Sequence, residues 1–363
     1  MRGKWGVPVP TLPNELFSSW LVRAALIQGC NPLVLTGEVW GKYRILTIDA
    51  DRIYEDELLH SIAVLSGNSI ESFKQNSLRP ITERIVGGRP FEKAIWPWIL
   101  ALGTRNTKRN GGLQYCPTCL AEDVKPYFRK QWRLAWHTVC EKHQMMLLDR
   151  CPVCNSPIEP HRLQAVDRAI KFCATCKSDL SSAPVQSTSV EALNFQLITD
   201  QVISNNYGHF QEQQINISQW FMLIDFLVSM LRRANRSQTT VLLDFISQLA
   251  KPIPLNFPVL SGAGVELLQT KDRQVLFTHL YPLLLISKEE FEQVAINANV
   301  TRQAFCSKDE VLPEAFKVLY DTLPDNPRLR SDKARRVRSH PRPKHEVIRM
   351  MKSLERKLEM AQR

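Results

Sequence analysis

The sequence contains no apolar run that approaches the roughly 20 residues a membrane helix needs, so we expect no membrane-spanning segment. Its first residues, MRGKWGVPVPTLP, lack the apolar stretch and the small-residue cleavage site of a secretory signal. Four catalytic patterns are also absent, namely GxxxxGK(S/T), HExxH, GxSxG and HxE…PCxxC. We therefore expect a cytoplasmic protein without catalytic activity, in a compartment that keeps thiols reduced.

Positive charge is concentrated at the C-terminal end of the sequence. The 363 residues carry a net charge of +11, and residues 328–363 account for +9 of it, with thirteen Lys or Arg against four Asp or Glu. This distribution favours a polyanionic partner, with nucleic acid first and a membrane surface second, over a tail that only aids solubility. The DNA contacts that we expect in the tail are Arg328, Arg330, Arg335, Arg336 and Arg338.

Seven of the nine cysteines lie between residues 116 and 176. They form three C-x-x-C pairs and one C-x-x-H pair, in the order CPTC, CEKH, CPVC and CATC. Two donors separated by two residues can bind one ion from a single tight turn, here called a knuckle, and two knuckles complete the tetrahedron that zinc prefers. Because protein donors fill every position, we predict two structural Zn²⁺ ions. The predicted ligands are Cys116, Cys119, Cys140, His143, Cys151, Cys154, Cys173 and Cys176.

The pairing of the four knuckles has two solutions. Sequential pairing joins CPTC to CEKH and CPVC to CATC, and the second set matches the spacing of structural zinc sites. In a cross-braced arrangement, alternating knuckles would share an ion. Redox motifs and an iron–sulfur cluster are less favoured, because no βαβ context is visible and the first set contains a histidine. We expect His137 and His161 to be surface or packed side chains, and Cys30 and Cys306 to be small packed hydrophobes.

The predicted fold is mainly α, with a small zinc-ribbon or knuckle module between helical regions. TLPNELFSSWLVRAALIQG has a helical apolar face, and DELLHSIAVLSGNSIESFKQNSL predicts two short helices around Ser66-Gly67-Asn68, as in a helix-turn-helix or any helical hairpin. We predict an N-terminal helical, helix-turn-helix-like domain at 1–110, a double zinc-finger module at 111–182, a C-terminal helical domain at 183–325 and a basic tail with an amphipathic helix at 326–363.

A second helix-turn-helix is predicted near residues 288–310, in SKEEFEQVAINANVTRQAFCSKDEV. Ala295 permits close helix contact, Asn299 tolerates a left-handed turn, and Thr301 can cap the second helix. The alternative is an ordinary helix pair with a polar face, and a true motif can also bind protein instead of DNA. If this unit contacts DNA, it would do so through Thr301, Arg302, Gln303 and Lys308.

Four segments resemble the TniQ/TnsD family of transposon targeting proteins: VPTLPNELFSSWLVR, CPTCLAED, QWRLAWHTVCEKHQMMLLDRCPVCNSPI and FCATCKSDL. The resemblance covers residues 7–180, and LPxExxxSWLxR followed by WRxxW…CxxH…LLxxCPxC is its specific part. It implies an accessory, non-catalytic protein that chooses an insertion site. Such proteins connect a recognised target to an AAA+ (TnsC-like) regulator, which recruits the transposase. The family's zinc ligands carry over to the eight positions named above.

Family members differ in how they find a target. Some read a fixed DNA attachment site, whereas others ride on an RNA-guided, Cascade-like CRISPR complex, often as a dimer. Only the basic tail follows residue 325, which favours the CRISPR-associated type. We expect DNA, an AAA+ regulator, a CRISPR effector complex and a second copy of the chain as partners, and no membrane. The alternatives are a TnsD-like direct reader and a stand-alone, zinc-containing helix-turn-helix regulator. A zinc enzyme is disfavoured because every ligand position is occupied.

Overall fold

The computed structural model forms one compact unit from residues 1–323 and a second from residues 324–363. The chain is mainly helical, as predicted, with two Cys/His clusters in its middle. Within the second unit the described residues from 344 onward are helical. Across the chain, the structure describes residues 4–41, 45–91, 95–102, 112–237, 240–249, 264–305, 311–324, 344–345, 347–349, 351–352 and 355.

Six short helices form the N-terminal part of the first unit. The stacked apolar residues of the first helix pack on Phe73, whose ring lies 4.6 Å from that of Trp20 and 5.2 Å from that of Phe17. The predicted helix, glycine turn and helix is confirmed: Gly67 ends one helix at φ 75°, and the Ser69 hydroxyl caps the next. The helices are α1 (Phe17–Ile27), α2 (Pro32–Trp40), α3 (Ile45–Ile48), α4 (Asp56–Ser66), α5 (Ile70–Asn76) and α6 (Arg79–Val86).

The middle of the chain contains little regular structure. Helix α7 (Pro117–Glu122) is followed by the two-residue strands β1 (Val139–Cys140) and β2 (Met145–Met146), which pair antiparallel. Single 3-10 turns make up most of the remaining hydrogen-bonded structure up to residue 182. Backbone propensity alone therefore does little to hold this region in shape.

Helices return after residue 189, interrupted by a hairpin that the sequence analysis did not predict. Its strands are joined by a two-residue turn with Gln211 at φ 53°. The first strand of the hairpin requires glycine at position 208, because a Cβ at Gly208 would lie 2.5 Å from a methyl group of Val202. The elements are α8 (Val190–Asn205), β3 (Tyr207–Phe210), β4 (Gln213–Asn216), α9 (Ile217–Ser237), α10 (Thr240–Leu249), α11 (Thr270–Leu285), α12 (Lys288–Asn297), α13 (Arg302–Phe305) and α14 (Lys317–Tyr320).

One hydrophobic core runs through the helices and the central module. It extends from Leu16 to Leu323 and includes five of the knuckle cysteines. A second, smaller core lies among α1, α3, α4 and α5. The central module thus shares its core with the helices before and after it. The predicted boundaries at 110/111 and 182/183 stay a prediction.

Buried ion pairs join the N-terminal helices to the central region. The guanidinium of Arg133 is fully buried and contacts both carboxylate oxygens of Asp49, at 3.1 and 2.7 Å, and Asp51 at 2.6 Å. Asp51 in turn accepts hydrogen bonds from the backbone N–H and hydroxyl of Ser18 in the first turn of α1. A second buried pair lies within the N-terminal part itself, where Arg23 of α1 contacts Glu15 just before the helix at 2.7 Å.

Replacing Arg133 by methionine keeps the bulk of the side chain but leaves the buried Asp51 without its cation and Asp49 with Arg52 alone. We expect the free energy of unfolding to fall by about 3–5 kcal/mol, since one partner of a buried ion pair is removed. Chemical denaturation measures the change. Arg162→Ala is the control, because Arg162 is 62% exposed and its pair with the partly exposed Glu159 should contribute less than about 1 kcal/mol. A loss at position 133 as small as that of the control would contradict this role.

Candidate metal centres

The first donor set combines a helix and a hairpin turn. Cys116 precedes α7 and Cys119 lies in its first turn, where Pro117 occupies a position that needs no N–H donor. Cys140 and His143 lie at the turn between β1 and β2, in which Gln144 adopts φ 51° and its N–H donates to the Cys140 carbonyl. A short helix thus faces a tight turn across the site.

The distances in this first set match a tetrahedron. The Nδ1 atom of His143 lies 3.3, 3.4 and 3.5 Å from the sulfurs of Cys116, Cys119 and Cys140, and the last two sulfurs are 3.6 Å apart. Zinc bond lengths place tetrahedral donors about 3.6 Å apart for a sulfur and a nitrogen, and about 3.8 Å for two sulfurs. The four atoms can therefore surround one ion without rearrangement.

The second donor set is built from two knuckles of one design. Cys151 to Cys154 and Cys173 to Cys176 each close with an N–H donated back to the first cysteine's carbonyl at 2.9 Å, from Asn155 and from Lys177. Both of these residues adopt a left-handed conformation, with φ 56° and 64°. The sulfurs of Cys151 and Cys176 are 3.6 Å apart, and those of Cys154 and Cys173 are 3.7 Å apart.

These distances also exclude disulfides among the eight donors. A disulfide would bring two sulfurs to about 2.05 Å, far shorter than the separations seen here. All the cysteines in the described residues are free thiols. The structure groups the donors sequentially, so it brings together the two predicted sets and not the cross-braced alternative. Both tetrads have the geometry to bind a metal ion.

Electrostatics within the second set favour a bound cation. Hydrogen bonds from the Ser178 hydroxyl and backbone N–H lower the pKa of the Cys176 thiol to about 6. Burial has the opposite effect on Cys173 and raises its pKa to about 12. Metal binding requires all four sulfurs as thiolates, and a divalent cation offsets the cost of burying them.

The sequence analysis missed one polar partner in each set. Glu122 lies at the end of α7, and its Oε2 atom is 3.1 Å from Nε2 of His143, which leaves Nδ1 facing the three sulfurs. The Ser178 hydroxyl lies 3.1–3.2 Å from two sulfurs of the second set. Hydrogen bonds of this kind orient metal ligands. Glu122 stands 21 residues before His143, so no local pattern pairs them.

A third group of potential donors is held together by hydrogen bonds. Nε2 of the buried His137 is 3.0 Å from Asp200, which also accepts from Trp136, whereas Nδ1 faces Glu141 at 3.8 Å. The two ring nitrogens face different carboxylates, so one ion could not use both contacts. Burial lowers the pKa of the other spare imidazole, His161. Neither histidine lies in a tetrad, and Cys30 is a half-buried thiol outside both.

The predicted second helix-turn-helix is visible up to Phe305. Asn299 adopts φ 52°, as its place in the turn predicted, and Ala295 is buried. Gln303 is exposed and Thr301 half-buried, while the Arg302 guanidinium donates to the Asp321 carbonyl at 2.8 Å. The remaining residues of interest, Cys306, Lys308, Arg328, Arg330, Arg335, Arg336 and Arg338, lie outside the described residues.

Fold and donor sets together define a class of protein: a helical scaffold with two closed metal-binding modules in its middle. Within the described part of the chain, no helix has the length and apolar character required to cross a bilayer. Residues 7–147 match the TniQ family model, so this part of the chain is a TniQ domain. Proteins of this family are non-catalytic proteins that select targets for transposition. A search of curated proteins found no match to the chain.

The turn after His143 generates a prediction about Gln144, which is exposed and adopts φ 51°. Gln144→Val should lower the free energy of unfolding by about 1–2 kcal/mol, because a β-branched residue is strained in this conformation. Gln144→Gly should preserve or raise it, because glycine has no such strain. Thermal unfolding of the metal-loaded protein measures both changes.

The control for this pair is Thr175, which is exposed in the last knuckle and is not among the described residues with positive φ. There the order should reverse, with glycine less stable than valine, because glycine gains freedom in the unfolded chain. The same order at both positions would contradict the argument.

Proposed function

We propose that this chain is a non-catalytic targeting adaptor of transposition. It links an RNA-guided CRISPR effector complex and target DNA to an AAA+ regulator, which recruits the transposase. The TniQ domain at residues 7–147 is the observation that carries this proposal, since the family selects targets. Transposition machinery is the class of partner that the family implies. The closed tetrads support the non-catalytic role, because protein donors occupy all four positions of each.

The metal in both tetrads is zinc in this proposal, and its role is structural. Sulfur-rich tetrahedral sets suit Zn²⁺, and separations of 3.3–3.7 Å suit its bond lengths. The two ions would hold a region with little regular structure, so that metal binding supplies folding free energy there. Their ligands are the eight residues of the two tetrads.

The CRISPR-linked role is supported over direct DNA reading by the charge of the second helix-turn-helix. Its first helix, α12, exposes Glu289 and Glu290, and four of its residues are charged, three of them acidic. Phosphates would be repelled by that surface. Arg302 is engaged within the chain. Sequence-independent contacts with DNA would then be made by the basic tail. Its Lys and Arg residues would bind DNA phosphates, with an affinity that is highest at low salt.

Elemental analysis tests the zinc proposal. The freshly purified chain should contain about two zinc ions, and Cys173→Ser should lose about one of them with a large drop in thermal stability. Cys30→Ser is the control and should keep both ions, since Cys30 belongs to neither tetrad. A folded wild-type protein without metal, or equal metal content in the two variants, would refute the structural zinc sites.

A reconstitution experiment tests the adaptor role. An AAA+ regulator and an RNA-guided effector complex from the same organism, each tagged separately, should co-purify only when the full-length chain is present. Failure of the chain to bridge them would overturn the CRISPR-linked form of the proposal. Omitting the guide RNA is the control and should reduce recruitment to the target DNA.

The same material separates the two alternatives. In competition binding at physiological salt, the purified chain alone should show little preference for any one duplex. If the chain strongly selects one DNA sequence and its own gene lies beside transposase and ATPase genes, the TnsD-like direct reader is favoured. If it selects one sequence but its gene has no such neighbours, a stand-alone transcription regulator is favoured.

A further inference from the structure

The two tetrads differ in how far they are shielded from water. In the first set all three cysteines are buried, and the His143 side chain is only 9% exposed. In the second set Cys151 and Cys173 are buried, but Cys154 is half-buried and Cys176 is exposed. A chelator or an oxidant can approach an exposed thiolate ligand directly, so shielding bears on how easily an ion leaves.

The first set also has a carboxylate behind its histidine ligand. Oε2 of Glu122 lies 3.1 Å from Nε2 of His143, on the side of the ring away from the sulfurs. Such a contact fixes the tautomer, makes the imidazole a stronger donor and prevents the ring from turning away. Lys142 contacts the same carboxylate oxygen, but this ion pair is exposed and contributes little to holding the carboxylate. The contact between Glu122 and His143 is therefore the one that orients the imidazole.

The second set depends on one hydroxyl. The Ser178 Oγ atom lies 3.2 Å from the sulfur of Cys151 and 3.1 Å from that of Cys176, so it bridges the two knuckles. The knuckles CPVCNS and CATCKS have the same backbone hydrogen bond. The N–H of Cys151 donates to the Ser156 carbonyl, and the N–H of Cys173 donates to the Ser178 carbonyl. No sulfur contact is recorded for the Ser156 hydroxyl within the described residues. The hydroxyl bridge is thus one-sided.

We propose that the two metal sites are unequal: the first is a permanent site oriented by Glu122, and the second is an exchangeable site whose thiolates are retained by Ser178. Glu122 and Ser178 are positioning residues, since neither belongs to the donor sets. This inference rests on the proposal that both tetrads hold zinc. It goes beyond that proposal by assigning a different stability and a different supporting residue to each site.

Exchange of the metal ion at the second site would also affect contacts with the N-terminal helices. The loop between its knuckles buries Leu163 and Ile170 in the main core. The N–H of Ala165 in this loop donates to the side chain of Asn31, immediately before α2, at 2.8 Å. Loss of the second ion would release both knuckles that hold the loop in place, and with them the contact at the start of α2.

Chelation combined with thiol labelling tests the order of release. The zinc-loaded, full-length chain is mixed with excess EDTA and pulsed with iodoacetamide at increasing times, and each cysteine is followed by peptide mass spectrometry. Cys151, Cys154, Cys173 and Cys176 should become labelled at least tenfold faster than Cys116, Cys119 and Cys140. Equal rates, or faster labelling of the first set, would overturn the proposal. Zinc content measured beforehand separates this result from failure of the zinc assignment itself.

Two pairs of variants test the supporting residues. Ser178→Ala should speed labelling of the second set by about tenfold, whereas Ser156→Ala, its counterpart in the other knuckle, should not. Glu122→Gln should speed labelling of the first set by roughly 10-fold or more, whereas Lys142→Gln should leave it near the wild-type rate. Unchanged rates for Ser178→Ala and Glu122→Gln, or equal effects on both tetrads, would contradict the assigned roles. Circular dichroism before chelation confirms that each variant is folded.

Discussion

Metal donors that converge within 3.3–3.7 Å of one another, four in each tetrad, are the constraint on which the central region depends. Thiolates at such distances repel each other and lose hydration on burial, so a bound cation must compensate. Within residues 112–182, all of which the structure describes, regular structure is limited to one short α-helix, two two-residue strands and single 3-10 turns. Its shape therefore follows from closing the two tetrads. Because five of the cysteines also belong to the main core, that shape extends to the helices on both sides.

Buried polar side chains then attach the helices to this framework. Arg133 joins Asp49 and Asp51, and Arg273 donates to the carbonyls of Ala135 and His137 from α11. Both arginines are fully buried, so their contacts have strict directions that apolar packing lacks. Glu15, Ser19 and Arg23 of the LPxExxxSWLxR segment form a similar network. The LPxExxxSWLxR and WRxxW segments, which carry the family resemblance, thus supply buried polar contacts that stabilise the fold.

Such a framework suits a protein that assembles others. Its arginine networks are buried, whereas Glu289 and Glu290 of α12 are exposed to solvent. An adaptor needs fixed distances between the surfaces that its partners contact, which rigid metal modules supply. Inequality between the two sites would make one part of that framework adjustable. The adjustable part would be the loop between Cys154 and Cys173. This loop joins the two knuckles of the second tetrad and contacts Asn31.

Local patterns determined much of the outcome. Donor pairs separated by two residues predicted the four knuckles, Gly67 predicted the turn between α4 and α5, and Asn299 predicted a left-handed turn, since each depends only on neighbours in the chain. The pairing of the knuckles into two tetrads was open in the sequence and was decided by the fold. Long-range contacts decided the rest. Glu122 reaches His143, and Arg133 reaches Asp49 from 84 residues away. Buried Trp98 adopts φ 60°, a strained conformation for a bulky residue, and its backbone N–H donates a hydrogen bond to the side chain of Glu266. Partners so far apart leave no periodic signal, because only packing in three dimensions brings their atoms together.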